Sequence, residues 1–189
     1  MKTKIGYKLF RVKNGKLYPL YVTADKEIPI GEWRKAEAGP ITEDGKVKSK
    51  LGKLAYRPGW HLNETCPYVN HIGRKDENGN IAYLREDHVW CEVEYCTDVD
   101  YNMAAEENGR NKHGKIIPKN ACLKEIPVGG FYKYKTNANQ IEPWIICGEM
   151  RVNRILPDRE VRWRCAQHGL DALPRYGGAF DAEKYGIAM

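Results

Sequence analysis

The 189-residue sequence has no apolar run that could serve a membrane: the stretch WIIC at residues 144–147 is far short of the roughly 20 residues a spanning helix needs. The opening MKTKIGYKLF has lysines but no apolar core of the kind a secretory leader carries, so the expectation is a cytoplasmic protein without a membrane partner. None of the six cysteines forms a CxxC pair, and a chain of this length can be stable without cross-links, so reduced thiols are expected. Also missing are a phosphate-binding glycine loop, a dinucleotide glycine signature, a catalytic-triad motif and a nucleic-acid zinc finger. There is no internal repeat and no regular alternation of strand and helix signals, which leaves out repeat architectures and parallel α/β folds.

What is present is a basic chain of uneven charge. Lysine and arginine outnumber aspartate and glutamate by 31 to 25, and the excess is local. Residues 46–57 carry Lys46, Lys48, Lys50, Lys53 and Arg57 with no acid. Residues 110–135 carry Arg110, Lys112, Lys115, Lys119, Lys124, Lys133 and Lys135 against Glu125 alone. Such blocks beside aromatic residues are the footprint of a phosphate-rich partner; solvated loops would give the same composition.

Hydrophobic residues make up 42% of the chain, enough for one core and too few residues in all for two domains. Bulky residues alternate on both sides of Asn14-Gly15, the pair that favours a tight hairpin turn. HVWCEVEY reads as a strand with Val89, Cys91, Val93 and Tyr95 on one face and Trp90, Glu92 and Glu94 on the other. FYKYKTN and WIICGEMRVNRIL supply two or three more strands. Short helices are expected at residues 32–38, at residues 67–72 behind Pro67, and at residues 157–168 between Pro157 and Gly169. Residues 41–53 read as an exposed loop. The expectation is an α+β fold: a single domain with a mostly antiparallel sheet of five to seven short strands and three to four short helices. Residues 1–156 would form the core, and residues 157–189 a helix and tail packed on it.

Chemistry concentrates in LAYRPGWHLNETCPYVNHIG. Pro58 holds Arg57 extended and Gly59 permits a sharp bend, so Arg57, Trp60 and His61 emerge together, able to hold an anion and stack a flat ring. The plainer alternative makes Trp60 a core anchor and lets His61 bond a nearby carbonyl. A zinc site would recruit His61, Cys66 and His71, with His88 or Cys91, but four residues intervene between His61 and Cys66 and again between Cys66 and His71, and no closed ligand set emerges; no metal is expected. Cys66 as a nucleophile has only its neighbouring histidines in its favour. Glu92 and Glu94 share a strand face and could do acid–base work or simply be solvated. Phe131, Lys133 and Lys135 alternate with Tyr132 and Tyr134, a pattern that suits base stacking or an ordinary amphipathic strand.

The segments YKLFRVKNGKLYPLYV, GEWRKAE, KVKSKLGKLAYRPGWHL, HVWCEVEY, YKYKTN and WIICGEMRVNRIL together resemble a family of proteins carried by phages and other mobile elements of gut bacteria, found as small proteins and as domains of phage polyproteins. The resemblance runs from about Tyr7 to Leu156. It implies a counter-defence role, with an anti-CRISPR-like inhibitor that binds nucleic acid or a CRISPR nucleoprotein through basic surface as the first expectation. The binding residues would be Lys46, Lys48, Lys50, Lys53, Arg57, His61, Arg110, Lys112, Lys115, Lys133 and Lys135, with no cofactor. A structural domain of a phage polyprotein is a further reading. The order of Arg11, RPGWH and HVWCEVEY is also loosely similar to ADP-ribosyltransferase-like domains. That likeness implies NAD held by His61 or Arg11, Trp60 or Tyr56 against nicotinamide, and Glu94, Glu92 or Glu149 as the acid, although no Ser-Thr-Ser element precedes Glu-Val-Glu.

Overall fold

The computed structural model describes residues 1–69, 74–75, 78–79, 82–140 and 142–189. The chain opens with strand β1 (Thr3–Lys13) and returns as β2 (Lys16–Tyr18), pairing Val12 with Leu17 and Lys13 with Lys16. Asn14 and Gly15 take positive φ of 49° and 77°, the turn geometry whose twist matches a two-residue hairpin.

Residues 33–35 form β3 (Trp33–Lys35), not the expected helix over residues 32–38. A seven-residue helix is marginal by itself, and here an open sheet edge competes for its backbone. Met150, Arg151 and Glu149 of the penultimate element pair with Arg34, Trp33 and Lys35, and Trp33 lies under the Arg151 guanidinium. The expected loop over residues 41–53 contains another hairpin, β4 (Lys46–Ser49) and β5 (Gly52–Ala55). Its lysines point to solvent and Val47 is buried, a period-2 pattern carried by one apolar residue per strand.

The remaining elements are β6 (Trp60–Asn63), β7 (Arg74–Lys75), β8 (Ala82–Tyr83), β9 (His88–Cys96), β10 (Val99–Asp100), α1 (Asn102–Gly109), a 3-10 turn (Pro118–Asn120), β11 (Gly130–Tyr134), β12 (Trp144–Cys147), β13 (Glu149–Ile155) and α2 (Asp158–Ala166). The described residues thus hold thirteen strands and two α-helices, more strand and less helix than expected. Of the helix expected at 67–72, residues 67–69 are non-helical and the rest lies outside the described residues.

The main sheet runs β10-β11-β12-β6-β1-β9-β13-β3, with β2 alongside β1. All its strand pairs are antiparallel except β10 with β11. The sheet is strongly coiled. β9 and β11 stand four strands apart, about 19 Å in a flat sheet, yet the rings of Tyr95 and Phe131 meet with centroids 6.0 Å apart. Across another four-strand interval, Trp60 Nε1 of β6 donates to the Arg34 carbonyl of β3 at 3.0 Å. Inside the curve lies the main core of Phe10, Val12, Leu62, Val89, Cys91, Val93, Ile145 and Met150 with their neighbours. Outside it, α2 packs on Tyr7, Leu9 and Trp90 through Val161 and Cys165, and α1 packs through Ala105 beside Tyr132 and Ile146. The C-terminal residues Phe180, Tyr185 and Ile187 pack against the main core. Among the described residues no helix is long and apolar enough to cross a membrane.

Candidate functional site

β1 and β6 share only one paired position, Tyr7 opposite Asn63. Beyond it β6 follows β12, with His61 opposite Ile146 and Trp60 opposite Cys147, while β1 continues along β9 and receives β2 at Arg11. The two strands therefore part as a wedge, and the wedge opens into a cleft of about 420 Å³. Lys8, Trp60, His61 and Asn63 come from the splitting strands, Trp144 from β12, Tyr21 and Ala36 from the segments flanking β3, and Tyr56 and Arg57 from the approach to the bend. Val47, Leu51 and Leu54 bring the β4–β5 hairpin to the rim.

The bend works as its sequence predicts. Gly59 has φ of +135°, and a Cβ built there would stand 2.5 Å from Ile146 Cγ2, so both conformation and space require glycine. Gly59→Ala is expected to lower stability by about 2 kcal/mol or more and to displace Arg57 and His61, which urea unfolding will measure.

Arg57 is half-buried and held against Tyr134: Nη1 donates to Tyr134 Oη at 3.0 Å, and the guanidinium carbon lies 4.9 Å from that ring's centroid. Tyr134 Oη in turn donates to the Lys119 carbonyl at 3.0 Å. Trp60 anchors the bend, packed against the main core with its indole N–H on Arg34 O. His61 Nδ1 lies 3.1 Å from Gly59 O and the ring meets Trp144 edge-on at 6.0 Å. Burial, then the Lys8 charge, lower its pKa to about 3, so the imidazole is neutral near pH 7. In that state Nδ1–H donates to the Gly59 carbonyl, which leaves Nε2 an acceptor.

Sequence reasoning passed over Lys8. It stands in phase with Phe10 and Val12, so the alternation of β1 carries it to the core side of the sheet, opposite Cys91. A lysine in register with an inward apolar row was the available signal. Its Nζ donates to His61 O at 2.9 Å, and burial lowers its pKa to about 8.

The other expected residues disperse. Lys46, Lys48, Lys50 and Lys53 are exposed on the β4–β5 hairpin, with Lys53 3.5 Å from Asp44. Arg110 is bound to Glu107 and to Gly114 O, and Lys133 to Glu64 at 2.9 Å. Arg110, Lys112, Lys115, Lys133 and Lys135 do not line the cleft. Nor do Glu92, Glu94 and Glu149. Glu94 pairs with Arg151 at 3.0 Å, and Glu92 lies 3.5 Å from Arg164 and 3.7 Å from Arg154, which also bind Glu160 of α2. Arg11 faces a different cavity, donating to Ala24 O at 2.8 Å. Cys66 and Cys91 are fully buried; the Cys165 contact and burial push the first thiol up and burial the second, the condition of inert cysteines. Among the described residues no three His, Cys, Asp or Glu side chains converge as a metal site, and His71 lies outside them.

Comparison with protein-family models, curated proteins and solved structures finds no match to this chain.

Proposed function

We propose that the chain binds nucleic acid, with one nucleotide of the strand seated in the wedge between β1 and β6 and the adjoining backbone crossing the lysine-bearing hairpin. The observation that carries this reading is the composition of the cleft: two cations, Lys8 and Arg57, and the neutral imidazole of His61 interleave with the rings of Trp60, Trp144 and Tyr56. The carboxylate on the lining, Glu37, is exposed and already bound to Lys26. Aromatic faces accept any base by stacking and cations hold phosphates, so the arrangement suits a single strand. Lys46, Lys48 and Lys50 of the hairpin form no close ion pair with a carboxylate among the described residues and extend the positive surface from the rim. Occupying the nucleic-acid path of a defence nucleoprotein, such as a CRISPR effector, is the counter-defence role that such binding would serve.

Anisotropy titration of labelled single-stranded RNA and DNA, against duplex controls, tests the reading. Affinity for a single strand is expected to fall steeply from 50 to 200 mM salt. Replacing Lys46, Lys48 and Lys50 together by glutamine should flatten that slope by about 2, at roughly 0.7 per lost phosphate contact. Arg57→Ala should weaken binding about tenfold. Absence of binding at low salt, or binding indifferent to salt, would overturn it.

A further inference from the structure

The wedge has a closed end. Backbone pairing at Tyr7 and Asn63 seals its apex, and Lys8, the next residue of β1, stands at that apex and lines the cleft. Its ammonium group is poorly compensated. One proton is used on His61 O, the Phe10 and Trp60 rings lie with centroids 5.8 and 5.9 Å from Nζ, and no carboxylate pairs with it among the described residues. Lys8 is half-buried, and an ammonium drawn partly out of water without an anion is costly to hold. The lining offers no substitute, since Glu37 is at the exposed rim with Lys26.

We propose that Lys8 is the anchor for the terminal phosphate monoester of the bound strand, so that the cleft recognises a phosphorylated end. This rests on the nucleic-acid reading and narrows it. A strand continuing on both sides of a phosphate needs two exits, and the apex at Tyr7 and Asn63 provides none. A terminal monoester needs one exit, and its charge of about −1.5 to −2 exceeds that of an internal diester. Burial holds the Lys8 pKa near 8, so the amine is mostly protonated at pH 7 and an arriving anion would raise that value again.

The test compares strands of one sequence ending in a 5′-phosphate, a 3′-phosphate or a hydroxyl at both ends, together with a free nucleoside monophosphate, against the native protein and Lys8→Met and Lys8→Gln. One phosphorylated end is expected to bind at least tenfold more tightly than the hydroxyl-ended strand, and both variants should abolish that preference, losing far more affinity for the phosphorylated strand than for the hydroxyl-ended one. The preferred strand should also protect Lys8 from amine acylation at pH 8, read by mass spectrometry of the native protein. Equal affinity for all strand ends, or a preference that survives in both variants, would overturn the assignment of Lys8 and leave strand binding standing. Lys8-dependent binding of the monophosphate with no strand bound would overturn the strand reading and keep the anchor. No binding by strand or monophosphate would overturn both.

Discussion

Lys8→Met is expected to raise the thermal midpoint at pH 7 by roughly 5 °C, as it would for about 2 kcal/mol gained in a chain of this size. The methionine keeps the length of the stem, meets the same Phe10 and Trp60 rings and removes an ammonium that the fold holds without an anion. The pH dependence gives the origin of the gain. Unfolded, the amine titrates near its ordinary 10.5; folded, burial brings it to about 8. Below pH 8 both states carry the proton and the native protein bears the full cost. Between about 8 and 10.5 the Lys8 amine holds its proton in the unfolded chain and not in the folded one, so its own contribution to native stability rises with pH and the advantage of the variant shrinks. Above that window it is gone. The Cys147 thiol beside Lys8 is pushed up by burial, and although it loses its proton within the window once unfolded, it does so in both proteins, so the difference between them follows Lys8. Melting curves of both proteins from pH 6 to 10.5 check the outcome. A variant that is less stable at pH 7, or a gain independent of pH, would show that the ammonium is well compensated in the native fold. Stability won at the cost of ligand binding is the pattern expected where a site keeps an unfavourable group for function.

Arg175→Ala is expected to cost about 3–5 kcal/mol, the loss typical of breaking a buried ion pair. Its side chain is 5% exposed and joins three parts of the chain. Nε and Nη2 clasp the Asp158 carboxylate, each at 2.8 Å, in the first turn of α2. Nη1 donates to the carbonyls of Arg85, Glu86 and His88, at 3.0, 3.2 and 2.6 Å, where the chain enters β9. The guanidinium carbon lies 4.9 Å from the Phe180 ring centroid in the tail. Alanine strands a partly buried carboxylate and leaves three carbonyls with one donor fewer. Lysine would not restore the contact, because a single ammonium cannot bond a carboxylate with two parallel N–H groups and reach the carbonyls as well. Urea unfolding should therefore show most of the loss in Arg175→Lys too. Limited proteolysis should open the tail beyond residue 170 before the sheet. A variant within 1 kcal/mol of the native protein would contradict this role.

Elements with local instructions were legible. Asn14-Gly15 carries its turn in its own backbone preferences, and the two-residue alternation of Val89, Cys91, Val93 and Tyr95 marks a strand with one buried face. Pro157 stands just ahead of α2, whose first turn carries Asp158 and Glu160. The region of the cleft was legible too: Pro58 and Gly59 announce the bend that sets out Arg57, Trp60 and His61. Elements whose form depends on a distant partner were not. Trp33–Lys35 is a strand because the edge of β13 accepts it, and nothing within residues 32–38 says so. The lysine-rich hairpin hid its alternation behind a single buried valine.

By itself, then, the sequence determined an α+β chain of mostly antiparallel strands, a hairpin start, a helix near its end, and a sharp turn presenting a cation and two rings. These follow from φ preferences and side-chain periodicity, which act over a few residues. The tertiary structure alone decided what that turn faces. The parting of β1 from β6 makes the wedge, the coiling of the sheet brings β3 across to Trp60, and the arginines of β13 and α2 engage Glu92 and Glu94 away from the cleft. It also placed Lys8 at the apex. Charge and hydropathy class a lysine as a surface residue, and only the strand register, propagated through backbone hydrogen bonds from residues more than fifty positions away, puts its ammonium at the closed end of a cleft.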